Sequence, residues 1–174
     1  MSIEEELKNA TKEVAEFSLC GLTLNGKVVE CYDADTCKIV LPVKDCLYKF
    51  TCRLNGIDTP EMKPRKDKPN RDNEILWAKK ARAELLKLIC PKLLNDTNPF
   101  DNLDIKKEEV IHELEKNKKL VIVKCLEFDK YGRLLVELYS DVKGDSFNKI
   151  LVDKNLAVLY DGGTKINPWT IAKN

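Results

Sequence analysis

Arg53-Leu54-Asn55-Gly56-Ile57-Asp58-Thr59-Pro60-Glu61 is the stretch on which the reading of the chain turns. An alternating segment runs into it, with Tyr48, Phe50, Cys52 and Leu54 on one parity and Lys49, Thr51 and Arg53 on the other. A period of two marks a strand with one buried face and sets Arg53 on the opposite face. Gly56 and Pro60 end the strand. Proline also holds Thr59 extended, so the Asp58 and Thr59 carbonyls turn away from any regular ladder. Asp58 and Glu61 therefore share one stiff turn beside an arginine. Acids so placed repel each other and cost stability unless a cation or a reaction needs them.

Upstream, Val29 and Cys31 lead from Lys27 to Asp33-Ala34-Asp35-Thr36. Cys37, Ile39 and Leu41 then alternate with Lys38 and Val40, and Pro42 to Cys46 connects to the Tyr48–Asn55 strand. Three strands with short links make an antiparallel meander. If the meander curls, the acids at 33–35 meet the Asp58 turn. Further upstream, residues 2–17 carry an apolar stripe of Ile3, Leu7, Ala10, Val14 and Phe17, with Ser2 and Glu5 spaced as a capping box. This predicts an amphipathic helix packed on the side of the domain, or one offered to a protein partner.

Downstream, residues 62–73 hold five basic side chains, two acids and two prolines. They read as a basic loop, either a solvated connector or a contact to a polyanion backbone. A helix is expected over 74–89, with Ala78, Ala81, Leu85, Leu88 and Ile89 on one face. Residues 90–107, rich in Pro, Asn and Asp, read as a long surface insertion. A short helix over 108–117 carries His112, the only histidine, as a surface residue. Strands over 120–128 and 133–139 flank Asp129-Lys130-Tyr131-Gly132, where Gly132 supplies the positive φ of a tight hairpin, and Arg133 projects from the non-core face. A helix over about 146–154 follows, capped by Asp145-Ser146 and closed by Asn155. A short strand at 156–160 then leads to Gly162-Gly163 and a polar tail.

With 174 residues, 43% of them apolar, the chain can bury one good core. A net charge of +1 excludes a general polycation, so any nucleic-acid contact must rest on local charge. The seven cysteines form no Cys-x-x-Cys pair, which argues against a zinc knuckle or a disulfide framework and for a reducing compartment. There is no apolar signal region and no run approaching ~20 apolar residues. A soluble, intracellular, cytoplasmic protein without membrane association is expected.

The groups off the core are Asp33, Asp35, Asp58, Glu61, Arg53 and Arg133. Carboxylates and backbone carbonyls without His or Cys at ligand spacing suit a hard cation, calcium or magnesium. Two arginines suit a phosphate and can stabilise charge growing on it. A remaining acid could activate or orient a water. Together these are the parts needed to hydrolyse a phosphodiester.

The series Asp33-Ala34-Asp35-Thr36, Arg53 to Glu61, Asp129-Lys130-Tyr131-Gly132-Arg133, then Asn148 and Leu156-Ala157 with Tyr160, resembles the staphylococcal nuclease (thermonuclease) family. The resemblance runs from about Lys27 to Tyr160. It implies an α+β protein built on an OB-fold, a five-stranded Greek-key barrel with flanking helices. The organisation expected is an N-terminal helical extension over 1–26, a nuclease-like domain over 27–161 with an insertion at about 90–117, and a tail over 162–174. The resemblance further implies a Ca²⁺ ion held by Asp35, Asp58 and the Thr59 carbonyl, with Asp33 acting through water. Glu61 would be the general base or the residue orienting the attacking water, and Arg53 and Arg133 would grip the scissile phosphate. Lys130, Tyr131 and Tyr160 would bind the nucleotide. The activity implied is calcium-dependent cleavage of DNA and/or RNA at P–O5′, leaving 3′-phosphates. The alternative is a non-cleaving OB module that binds nucleic acid or protein. One departure is Ala34, where the family usually has glycine; if that position needs a positive φ, alanine strains it and weakens the metal site.

Overall fold

The computed structural model describes residues 1–92 and 97–170. Strands β1 (Thr23–Cys31), β2 (Thr36–Val43) and β3 (Cys46–Leu54) follow one another as antiparallel neighbours. After a short β4 (Ile57–Asp58) come β5 (Val121–Phe128) and β6 (Leu134–Tyr139), an antiparallel hairpin. β6 pairs in parallel with β3, and β5 pairs with β1, which closes a barrel in the order β1-β2-β3-β6-β5. This is the OB-type barrel with helices around it. β4 pairs outside the barrel with β7 (Val158–Leu159). The helices are α1 (Ile3–Lys8), α2 (Arg71–Ile89), α3 (Lys107–Lys116) and α4 (Phe147–Asp153). No described helix is long and apolar enough to cross a membrane.

Alternating residues of the strands fill the barrel: Ile39, Leu41, Cys52, Leu54, Val123, Cys125, Leu134, Val136 and Leu138 are all buried. Cys31, Cys37, Cys52 and Cys125 are free thiols within this core, where they act as small hydrophobes. Burial pushes the Cys52 thiol up to about 12, so it stays protonated and inert.

Several segments depart from the sequence reading. β1 begins at Thr23, because Thr23–Gly26 pair with Val121–Lys124 of β5, and Gly26 blanks a core position that would otherwise show the alternation. The N-terminal helix covers Ile3–Lys8 only. Its capping box forms as expected, but its apolar side chains are not packed: Ile3 is 81% and Leu7 74% exposed. Six residues give few internal hydrogen bonds, and no packing prolongs the helix to 17. Phe17 instead tilts against Phe128, and the buried anchor is Leu19. β2 runs through Pro42 to Val43, and Lys44 turns the hairpin at φ 52°. Tyr48 at its far end is exposed, because that hairpin extends beyond the barrel. The stretch after Cys90 is not a surface loop throughout. Residues 93–96 lie outside the described residues, but Pro99–Asp101 form a 3₁₀ turn with Phe100 buried, and Ile105 is buried too. Ion pairs Lys79–Asp104 and Lys87–Asp101 hold this stretch on α2. The α4 helix, its Ser146 cap, Asn155 at φ 58° and Gly132 at φ 78° fall where the sequence placed them.

Gly26 is a packing requirement of barrel closure. A Cβ there would stand 2.8 Å from Ile39 Cγ2, Leu41 Cδ2 and Val123 Cγ2. Gly26→Ala is expected to destabilise the fold by about 1–3 kcal/mol, the usual penalty of overpacking, measurable as a lower urea midpoint at unchanged m-value.

Candidate active site

Four chain segments converge at one end of the barrel. The first is the β1–β2 connection. Asp33 Oδ1 accepts the Asp35 (3.2 Å) and Thr36 (2.8 Å) amides, an Asx-type turn that holds both carboxylates in place. Ala34 causes no strain. Among the described residues the positive-φ positions other than glycine are Lys44, Asn70 and Asn155, and the Ala34 methyl is buried in the core.

The second segment is the β3–β4 turn, made possible by Gly56 at φ 75°. It is clamped from two sides. The Asn55 N–H donates to Val136 O (2.8 Å), and the buried Asn148 side chain of α4 donates to Asn55 O (2.9 Å) and Val136 O (3.1 Å) while accepting the Leu138 amide. The third is the β5–β6 hairpin. There Asp129 accepts the Tyr131 and Arg133 amides and the Arg133 Nε–H (2.7 Å). Burial alone would raise the Asp129 pKa, but these bonds hold it below the usual carboxylate range. The fourth is the segment after β7, where the Tyr160 N–H donates to Gly56 O.

These segments bring Asp35 and Asp58 onto one guanidinium. Arg53 Nη1 lies 2.6 Å from Asp35 Oδ2, and Nη2 lies 3.4 Å from Asp58 Oδ1 and donates to Ile57 O at 3.1 Å. Arg53 does leave the barrel core, as its parity predicts. It is not solvated, however, and its side chain is only 11% exposed. Thr59 N–H donates to Asp35 Oδ2 (3.3 Å), joining the first turn to the second. Lys165 adds a second cation, 2.9 Å from Asp58 Oδ1 and 3.8 Å from Glu61 Oε1.

Asp33, Asp35, Arg53, Thr59, Glu61, Lys130, Tyr131, Arg133 and Tyr160 line one cavity of about 1090 Å³. Asp58 is the expected site residue that does not line it. It faces an adjoining cavity of about 310 Å³, with Thr59, Glu61 and Lys165 between the two. Arg133 and Lys130 stand near the face of the exposed Tyr131 ring, at 5.4 Å and 5.2 Å from its centroid.

Among the described residues, no three His, Cys, Asp or Glu side chains are gathered as a metal site. The donor chemistry nevertheless fits a hard cation. Asp33, Asp35 and Asp58 are buried oxygen donors beside the Thr59 peptide, and Asp35 and Asp58 already draw in a guanidinium and an ammonium. Lys165 could be missed in the sequence because Gly162-Gly163 looks like the end of the fold. The available signal was Trp169, an aromatic in the apparent tail, which is buried against the domain. Glu74 was missed as well. The available signal was its spacing, which continues the Ala78, Ala81, Leu85 stripe, and it is fully buried.

Burial first, and then the charge of Asp35, push the Asp33 pKa up to about 7. An acid whose folded pKa exceeds its unfolded value binds a proton on folding. Its contribution to stability is present below the unfolded value and is lost as pH rises through 7. Asp33→Asn keeps the Oδ1 acceptor for both amides and removes the charge. Metal-free Asp33→Asn is expected to be more stable than the parent at pH 8 and to converge with it toward pH 4, as measured by urea unfolding in chelator across that range.

No curated protein matches the chain. A sequence model of the family described as staphylococcal nuclease homologue matches residues 51–169. The match reaches from β3 through the Arg133 hairpin to Trp169, and Asp33 and Asp35 join it through the fold from upstream. Spanning well over half of the residues, it shows that the chain belongs to the staphylococcal nuclease homologue family.

Proposed function

We propose that the protein is a calcium-dependent nuclease that hydrolyses phosphodiester bonds of DNA and/or RNA and leaves 3′-phosphate ends. Family membership supports a nuclease-type or nucleic-acid-binding function. The observation that carries the finer reading is that Arg53, Glu61 and Arg133 line one cavity together with the Asp33–Asp35 turn and Thr59.

In this reading Asp35, Asp58 and the Thr59 carbonyl hold Ca²⁺, with Asp33 contributing through water. The bound ion supplies Lewis-acid stabilisation of charge on the phosphoryl oxygens. Arg53 and Arg133 grip the non-bridging oxygens of the scissile phosphate and stabilise the charge that grows on them. The bond to Asp129 uses Arg133 Nε, which leaves the paired terminal nitrogens of the fork for phosphate. Glu61 accepts the proton of the attacking water or orients it. Water oxygen bonds to phosphorus, the P–O5′ bond breaks, and the 5′-oxygen takes up a proton. Tyr131 and Tyr160 offer rings on which a base or sugar can lie, and Lys130 meets a flanking phosphate.

One observation favours the non-cleaving alternative. The Arg53 guanidinium already bridges Asp35 and Asp58, the two carboxylates assigned to the ion. A cleavage assay on single-stranded DNA separates the readings. Millimolar Ca²⁺ is expected to support cleavage, chelator to abolish it, and the products to be substrates for a 3′-phosphatase. Arg133→Ala is expected to lower kcat by roughly 10²–10³-fold with a smaller effect on binding. Glu61→Ala is expected to lower it by roughly 10²–10⁴-fold. Undiminished cleavage in chelator, or by both variants, would sink the proposal.

A further inference from the structure

Glu74, in the first turn of α2, is a carboxylate with 0% exposure placed directly under the Pro60–Glu61 turn. Only one of its oxygens is well partnered. Oε1 accepts the backbone N–H of Glu61 (3.2 Å) and the side-chain amide of Asn167 (2.9 Å). Among the described residues Oε2 has no hydrogen-bond partner, and Lys68 Nζ stands 3.7 Å from it. Its stripe neighbours Ala78, Ala81 and Leu85 are apolar, so packing alone would be served by an apolar side chain there. A charge buried at this cost, half satisfied, is accounted for by the two bonds it does make. The helix N-terminus lowers that cost, because an anion in the first turn sits at the positive end of the macrodipole.

The second of those bonds comes from the far end of the chain. The segment Lys165–Thr170 folds back over α2, where Asn73 donates to the Trp169 carbonyl (2.6 Å), Asn70 donates to that of Thr170, and the Trp169 ring is buried. From this anchored position Asn167 reaches Glu74 from one side of the turn. On the other side Lys165 stands by the Glu61 carboxylate. The Glu61 backbone is therefore fixed through α2, and its side chain is met by the same segment.

We propose that Glu74 and Asn167 are positioning residues for Glu61: a relay from the C-terminal segment through Glu74 Oε1 to the Glu61 amide sets the place of the carboxylate that handles the attacking water. The proposal rests on the reading of Glu61 given above. Neither residue touches the reacting atoms. Both act by denying the turn other conformations, and small displacements of a catalytic group are costly in rate.

The test is a steady-state comparison of the full chain and of Asn167→Ala, Glu74→Leu and Glu74→Gln on single-stranded DNA at saturating Ca²⁺. Calorimetric Ca²⁺ titration and thermal unfolding are run alongside. Asn167 is only half-buried, so Asn167→Ala remains informative should Glu74→Leu fail to fold. Asn167→Ala and Glu74→Leu are expected to lose about tenfold in kcat, with KM and the Ca²⁺ Kd within about twofold of the parent. Glu74→Gln keeps an acceptor oxygen for the Glu61 amide and is expected to restore kcat to within about threefold. Hydrogen exchange at the Glu61 amide is expected to rise in Asn167→Ala and not in Glu74→Gln. An active parent with Asn167→Ala unchanged in kcat and in Glu61 exchange overturns this proposal and leaves the nuclease reading standing. So does a loss carried by KM, or one matched by the unfolded fraction. A parent that binds DNA but does not cut overturns the nuclease reading and this one with it.

Discussion

A guanidinium shared between Asp35 and Asp58 is the contact through which the candidate site of this protein is put together. Arg53 bridges the β1–β2 connection and β4, and it donates a third bond to the Ile57 carbonyl. Its three partners come from two separate segments, so removing Arg53 would leave two buried carboxylates near each other with Lys165 as the remaining paired cation among the described residues. Taking a single partner out of such a group is far more costly than never building it. The neighbouring charges hold the guanidinium protonated despite its burial, with the attraction of Asp35 the main opposing influence.

The scaffold and the site make opposite demands. The barrel interior is aliphatic and thiol-lined, closed tightly enough that Gly26 has no room for a Cβ. One end of the same barrel buries Asp33, Asp35, Asp58 and Glu74, each of which lowers stability unless charge or hydrogen bonding answers it. The chain answers locally at each: backbone amides at Asp33, cations at Asp35 and Asp58, the Glu61 amide and Asn167 at Glu74. Asn148 shows the same economy from the scaffold side. One buried amide satisfies Leu138, Val136 and Asn55 at once, and so ties the β3–β4 turn to β6.

How far the sequence could be read depended on the range of the interaction. Period-two alternation identified β2, β3 and β6, and a local φ requirement identified the Gly132 hairpin and the end of α4, because each rests on residues a few positions apart. The early start of β1 was hidden, since its partner β5 lies about a hundred residues on and Gly26 erases the alternation. The N-terminal stripe had the right spacing for a longer helix, and only the absence of a packing surface shortens it. Phe100 and Ile105 sat among turn-forming residues that spoke for a loop, yet both are buried. At the site, the motif residues were visible by type and order. Lys165, Glu74 and Asn167 were not, because their significance lies in what they touch.

What the sequence determined by itself is the chemistry available: oxygen donors without histidine or thiol at ligand spacing, two arginines on non-core positions, and turns stiffened by Gly56, Pro60 and Gly132. Those follow from side-chain identity and short-range backbone geometry. Only the tertiary structure decided that Arg53 lies between two acids rather than in solvent, that Asp58 faces the smaller cavity, and that Lys165 and Asn167 wall the site. The reason is that burial and charge pairing are properties of a place, and the place arises only when β3 meets β6 and the C-terminal segment returns to α2.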